Sequence, residues 1–314
     1  MIRKTTLLVL LCAAALGAGV YYFDWKRGQA EPAVQDSSKP AFSTQTADVV
    51  SLTLARVAQP AEPSIRLEKR NGAWEIVRPI EAPADQPAVE AIVEEIVGAR
   101  IAQTEPGAPD RRKAYGLDPA QGSLEFELTG GAKHTVVLGN KDFTGTSVYA
   151  LIDGGPNVSL VPAALSASAA LPVENLRDKR VAGIEAADIQ RVEIRAASGV
   201  IVVSRKKDSA EEWTFDAPED HKGKPAAGSK ITSALTSLRA EEVIDRPAAS
   251  LLRQTAAPAI RAVLTGQDGR QITVRISKAV GDFAYARAGD GPPLYKLKKQ
   301  VLDNWNWKPV DLVP

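Results

Sequence analysis

Cysteine, methionine and histidine are nearly missing from this chain. Its 314 residues hold one cysteine, one methionine and two histidines. Cys12 lies in an apolar N-terminal run, so the remainder has no disulfide and no thiolate ligand. A closed zinc site needs about four ligands, and His134 and His221 cannot supply them. The same scarcity removes most proton relays and triads. No Gly-x-Ser-x-Gly elbow, phosphate-binding loop or dinucleotide glycine pattern is present. Asp282, Asp290 and Asp303 lack the clustered spacing of a calcium loop. The acidic pairs Glu94-Glu95, Glu211-Glu212 and Glu241-Glu242 are chain neighbours, which on a helix do not face each other. No catalytic residue, metal site or cofactor is expected, and the chain reads as non-enzymatic.

Net charge is also scarce, at +1 overall. Residues 1–28 carry Arg3, Lys4, Lys26 and Arg27 against Asp24, a net of +3, which leaves −2 (1 − 3) for the rest. That balance gives no electrostatic footprint for nucleic acid.

What is present begins with an uncharged run from Thr5 to Phe23. As a helix it would reach about 28 Å, the thickness of a bilayer core. Tyr21, Tyr22, Phe23 and Trp25 crowd its far end, and the basic flank Arg3-Lys4 precedes it. The positive-inside rule then puts the N-terminus in the cytoplasm and the bulk of the chain outside the inner membrane. Residues 1–27 thus read as a single-pass anchor; a signal peptide cut near Ala15-Leu-Gly17 is the alternative. Lipidation at Cys12 is disfavoured by Leu11 before it. Residues 28–48, rich in proline, serine and glutamine, read as a flexible tether.

The rest is a repeat. Trp74-Glu-Ile-Val-Arg-Pro79 returns as Trp213-Thr-Phe-Asp-Ala-Pro218. Pro119 follows Pro79 by 40 positions, and Pro258 follows Pro218 by 40. At an offset of 139, Ile92, Ile96 and Arg100 fall on Ile231, Leu235 and Arg239. At an offset of 136, Tyr149-Ala150 falls on Tyr285-Ala286. Alternating β-rich runs joined by tight turns, with Asn71-Gly72 the clearest hairpin, point to antiparallel sheets. One helical stripe per copy, Val89 to Arg100 in the first, makes the class α+β. The expected modules span residues 49–173 and 188–314, with a short charged connector at 174–187 that would bring the domains into touch. Trp74, Pro79, Pro119, Trp213, Pro218 and Pro258 are the structural signature of the repeat. The two tryptophans are expected as core anchors.

Trp-x4-Pro, an acidic-capped helix, Tyr115-Gly-Leu-Asp-Pro119, a Tyr-Ala strand and the Leu176-Arg-Asp-Lys179 connector together resemble the bacterial domain of unknown function 4340 family. The resemblance covers about residues 49–310, although the second copy lacks the Tyr-Gly-Leu-Asp turn. It implies membrane-anchored exported proteins without an assigned activity, some similar to accessory parts of ABC-type export systems. It offers no catalytic residues to carry over. The expected function is a binding or scaffolding subunit in the periplasm, partnered by envelope or ABC-transporter membrane proteins, with strand edges and the groove between modules as contact surfaces. A carbohydrate- or peptidoglycan-binding module is the alternative. For it, Trp305, Trp307, Tyr149 and Tyr285 would supply aromatic contact faces.

Overall fold

The computed structural model describes residues 38–56, 63–206, 209 and 211–314. The expected anchor at 1–27 lies outside the described residues. Among these residues, no helix is long and apolar enough to cross a membrane. The chain is α+β, with two large sheets whose pairings are antiparallel and a few short helices. The described residues divide into two units: 38–81 with 87–171, and 82–86 with 172–314.

The first sheet is built from β2 (Val49–Ala55), β3 (Ile65–Arg70), β4 (Ala73–Arg78), β5 (Ala82–Pro83), β7 (Gln103–Pro106), β8 (Gly122–Leu128), β9 (Lys133–Lys141), β10 (Ser147–Ile152) and β11 (Asn157–Pro162). Their order is β5-β4-β3-β2-β8-β9-β10-β11-β7. The short β1 (Lys39–Pro40) pairs separately with β6 (Arg100–Ile101). The β3–β4 hairpin turns through Asn71 (φ 51°) and Gly72 (φ 84°). Both residues have the positive φ that a type I′ turn needs, and glycine and asparagine supply it at least cost. Alternation then buries Ile65, Leu67, Trp74 and Ile76 on one face. Helix α1 (Gln86–Val97) adds Val89, Ile92, Val93 and Ile96 to the core, the stripe its spacing predicts.

Residues 28–37 of the expected tether lie outside the described residues. Phe42 is buried, its ring edge-on to Phe126 at 4.9 Å, because a large apolar side chain gains more by burial than by remaining in a polar segment.

The second sheet contains β12 (Ile189–Ala196), β13 (Gly199–Arg205), β14 (Trp213–Ala217), β15 (Pro225–Ala226), β16 (Glu242–Ile244), β17 (Ile260–Gly266), β18 (Gln271–Ile276), β19 (Phe283–Ala288) and β20 (Leu294–Lys298). Its order is β15-β14-β13-β12-β17-β18-β19-β20-β16. Place for place, this is the order of the first sheet. The helix after β15, Gly228–Thr236, buries Ile231 and Leu235 as α1 buries Ile92 and Ile96. Val181, Ile184, Trp213, Phe215, Leu264, Val274, Leu297, Trp305 and Leu312 belong to one continuous core.

The expected connector is a built part of the second unit. Leu176 is fully buried, Val181 N–H donates to the Leu238 carbonyl at 3.0 Å, and Ala240 N–H donates to the Lys179 carbonyl at 2.9 Å. The backbone groups of this charged stretch find partners in the fold rather than in water.

Candidate functional site

The four aromatic residues expected to contact a partner fall in different settings. Tyr149, on β10, stacks on Tyr115 with ring centroids 3.9 Å apart and planes 7° off parallel. The Tyr115 hydroxyl donates to Glu105 Oε2 at 2.9 Å, and Arg111 Nη1 donates to the same oxygen at 2.9 Å. The hydrogen bond to Glu105, with lesser help from desolvation, raises the Tyr115 pKa above its ordinary value.

The Tyr115–Pro119 turn fits closely on β9. Asn140 N–H donates to the Tyr115 carbonyl at 2.7 Å. A Cβ at Gly139 would come within 2.2 Å of that carbonyl oxygen, so only glycine permits the approach. The Tyr115–Pro119 turn in the first unit therefore positions a stacked tyrosine pair, half-buried beside a carboxylate and a guanidinium.

In the second unit Tyr285, on β19, stands opposite Lys296 on β20, and its backbone N–H is held by Ser277 Oγ at 3.0 Å. Trp305 is only 3 % exposed and belongs to the core. Trp307, half-buried, lies beside it with ring centroids 6.3 Å apart. Trp305 also lines a cleft of about 370 Å³, with Leu238, Arg239, Lys298, Gln300 and Asn304 among its walls. A cleft of this kind can hold a small polar molecule by hydrogen bonds and charge.

Trp74 and Trp213 are each almost fully buried, one in each unit. Each is paired across the hairpin with a cation, Lys69 opposite Trp74 and Arg205 opposite Trp213. The Lys69 Nζ is 5.9 Å from one ring centroid and the Arg205 Cζ is 5.1 Å from the other. Pro79 and Pro218 end the tryptophan strands, and each follows a cis peptide bond, as does Pro119. Pro258 lies two residues before β17.

The histidines sit apart. His134 Nδ1 is 2.9 Å from Asp153 Oδ2 and its ring packs near Phe42 and Phe126. His221 lies edge-on to Phe215, with Nδ1 3.1 Å from Asp220 Oδ1. Among the described residues, no three histidine, cysteine or acidic side chains gather where they could hold a metal ion.

The strongest polar constellation was not visible in the sequence reading. Arg177, 5 % exposed, makes a two-pronged pair with Asp245. Its hydrogen bonds hold the Asp245 carboxyl below the usual carboxylate range and raise the Arg177 pKa. Nearby, Arg180 bonds both Asp178 and Glu185, and Arg239 bonds Asp85. The only sequence signal was the Leu-Arg-Asp-Lys string itself, since the partner Asp245 is 68 positions away.

A family model, Domain of unknown function (DUF4340), matches residues 74–259, more than half of the chain. The chain belongs to the DUF4340 family. The match runs from Trp74 on β4 to the residue before β17, and so takes in the Tyr115 turn, the Arg177 connector and Trp213. No curated protein and no solved structure matches this DUF4340 chain.

Proposed function

We propose that this DUF4340 protein is a non-enzymatic binding or scaffolding protein held outside the cytoplasm by an N-terminal membrane helix, and that it serves as an accessory subunit of an ABC-type export or other envelope complex. In this reading the two sheets descend from one duplicated module. The observation that carries the duplication is the identical order of nine strands in each sheet, with Trp74 and Trp213 at the same place and each beside a cation, Lys69 or Arg205. Support for the anchor comes from the uncharged Thr5–Phe23 run and its basic flank.

Duplicated sheets suit a scaffold because each presents outer strands whose free backbone groups can pair with another chain. The outer strands at one end are β7, Gln103–Pro106, and β16, Glu242–Ile244. Both are short and polar or charged on their exposed positions, which keeps them from pairing indiscriminately.

Crosslinking the full-length tagged chain in native membranes, followed by mass spectrometry, tests the proposal. Recovery of transporter permease and ATPase chains, lost when residues 1–28 are exchanged for a foreign anchor or when one unit is deleted, supports it. Recovery of nothing above background, with retention on purified cell-wall sacculi, replaces it with the glycan-binding reading.

A further inference from the structure

The second sheet carries four arginines in one row. Arg195 on β12 stands opposite Arg261 on β17, Arg261 opposite Arg275 on β18, and Arg275 opposite Arg287 on β19. Residues directly opposite in neighbouring strands share one face of a sheet, and like charges placed so repel. With strands about 4.8 Å apart, the row is roughly 14 Å long.

The fold does not require it. In the matching row of the first sheet, Ala55 is opposite Ser123, Ser123 opposite Val137, and Val137 opposite Leu151. The same strand order is thus built there without a single charge in the row.

The positive charges are incompletely answered within the protein. Arg195 Nε donates to Glu193 Oε1 at 2.9 Å. Arg275 Nη1 donates to the Gly289 carbonyl at 2.7 Å and lies 3.1 Å from Asp290, whose side chain is 91 % exposed. Arg287 Nη1 donates to the Asp290 carbonyl at 2.9 Å, while its Nε is buried without a hydrogen-bond partner. Arg261 is half-buried and makes no ion pair among the described residues. Four guanidiniums therefore face two carboxylates, Glu193 and Asp290, a local excess of two positive charges (4 − 2). A buried N–H without an acceptor is costly, so the row carries an unmet demand for oxygen acceptors as well as an excess of charge.

We propose that this arginine row binds a soluble oligoanion bearing two or more phosphate groups, laid across β12, β17, β18 and β19. The guanidinium fork matches phosphate oxygens in pairs, which a lysine row would not. A flat bilayer is a poor occupant, because the Arg275 side chain is only 21 % exposed and Arg287 is half-buried. A compact ligand reaches such groups where a lipid surface does not.

The test is calorimetric titration of the full-length chain in neutral detergent with inositol hexakisphosphate, whose phosphates sit on adjacent ring carbons. Binding is expected, weakening with added salt, and about tenfold or more weaker in Arg261→Gln. Orthophosphate should bind much more weakly than the hexakisphosphate. Arg78→Gln, which removes an exposed arginine from the first sheet, should leave affinity unchanged. Arg261→Gln deletes no ion pair, and Arg195→Gln provides a second variant if the first fails to fold by circular dichroism. Absence of hexakisphosphate binding, equal weakening by Arg78→Gln and Arg261→Gln, or binding confined to phosphatidylglycerol vesicles would overturn the proposal.

Discussion

Arg177 and Asp245 meet through two parallel hydrogen bonds, Nη1 to Oδ2 at 2.7 Å and Nη2 to Oδ1 at 2.5 Å. The arginine is 5 % exposed and the aspartate 47 %, so the pair is buried on one side and wet on the other. Removing the carboxylate leaves a buried guanidinium without its counter-charge. That costs several kcal/mol in a dry interior, and about 1–2 kcal/mol here, where water reaches the vacated site.

This pair sets a pH dependence. The folded Asp245 pKa is depressed, chiefly by its hydrogen bonds from Arg177. Its stabilising contribution is therefore complete above the unfolded value of about 3.9 and is lost as pH falls through the lower folded value. Urea denaturation should show Asp245→Asn less stable than the unaltered chain at pH 7, with the gap narrowing below about pH 4. An equal gap at both ends of that range would show that the pair is not the cause.

Tyr115 titrates with the opposite sign. Its hydrogen bond to Glu105 and its partial desolvation raise the folded pKa. The neutral hydroxyl's contribution is present below the unfolded value of about 10 and is lost as pH rises through the folded value. In ¹³C-tyrosine NMR, the Tyr115 ring carbon should titrate higher than a free tyrosine, and Glu105→Gln should bring it down. Titration at one pH in both chains would remove Glu105 as the cause.

Much of the sheet architecture was legible because it rests on local signals. The Asn71-Gly72 hairpin, the alternation of β2, β3 and β8, and the Val89–Ile96 stripe each follow from residues close in sequence. The outer strand β7 was not legible, since Gln103-Thr-Glu-Pro106 has no apolar alternation and owes its extended form to pairing with β11. Helix Ala249–Ala256 was missed for a similar reason: it packs against β18 and β19 with few buried side chains of its own. The arginine row and the Arg177–Asp245 pair depend on register between distant segments. Composition could register only the +1 total, in which such local excesses vanish.

Gly228 marks a contact that tolerates no side chain. A Cβ there would fall 2.0 Å from Trp213 Cγ and 2.1 Å from Cδ2, in collision with the indole ring. Trp213 is held by the core and by Arg205 above it, so neither partner can yield cheaply. Gly228→Ala should destabilise the second unit by about 2–3 kcal/mol through overpacking. Gly72→Ala meets no atom within 4 Å and pays only for its positive φ, about 1 kcal/mol. Thermal unfolding of the two variants separates the mechanisms: similar losses in both would mean that the Trp213 contact relaxes freely.

Trp305 requires care in any binding assay. As a core residue of the second unit it should cost about 3–5 kcal/mol when changed to alanine, the range for truncating a buried aromatic. Trp307→Ala should cost less, because that ring is only partly buried and packs against the edge of the core. A loss of sacculus binding in Trp305→Ala would therefore report unfolding as readily as a missing contact. Trp307→Ala and Tyr285→Ala are the informative variants, since both rings are partly exposed. If these two keep both their melting temperature and their retention on sacculi, the aromatic glycan-binding face is excluded. If they keep the melting temperature and lose retention, the glycan reading gains the direct support that Trp305→Ala cannot provide.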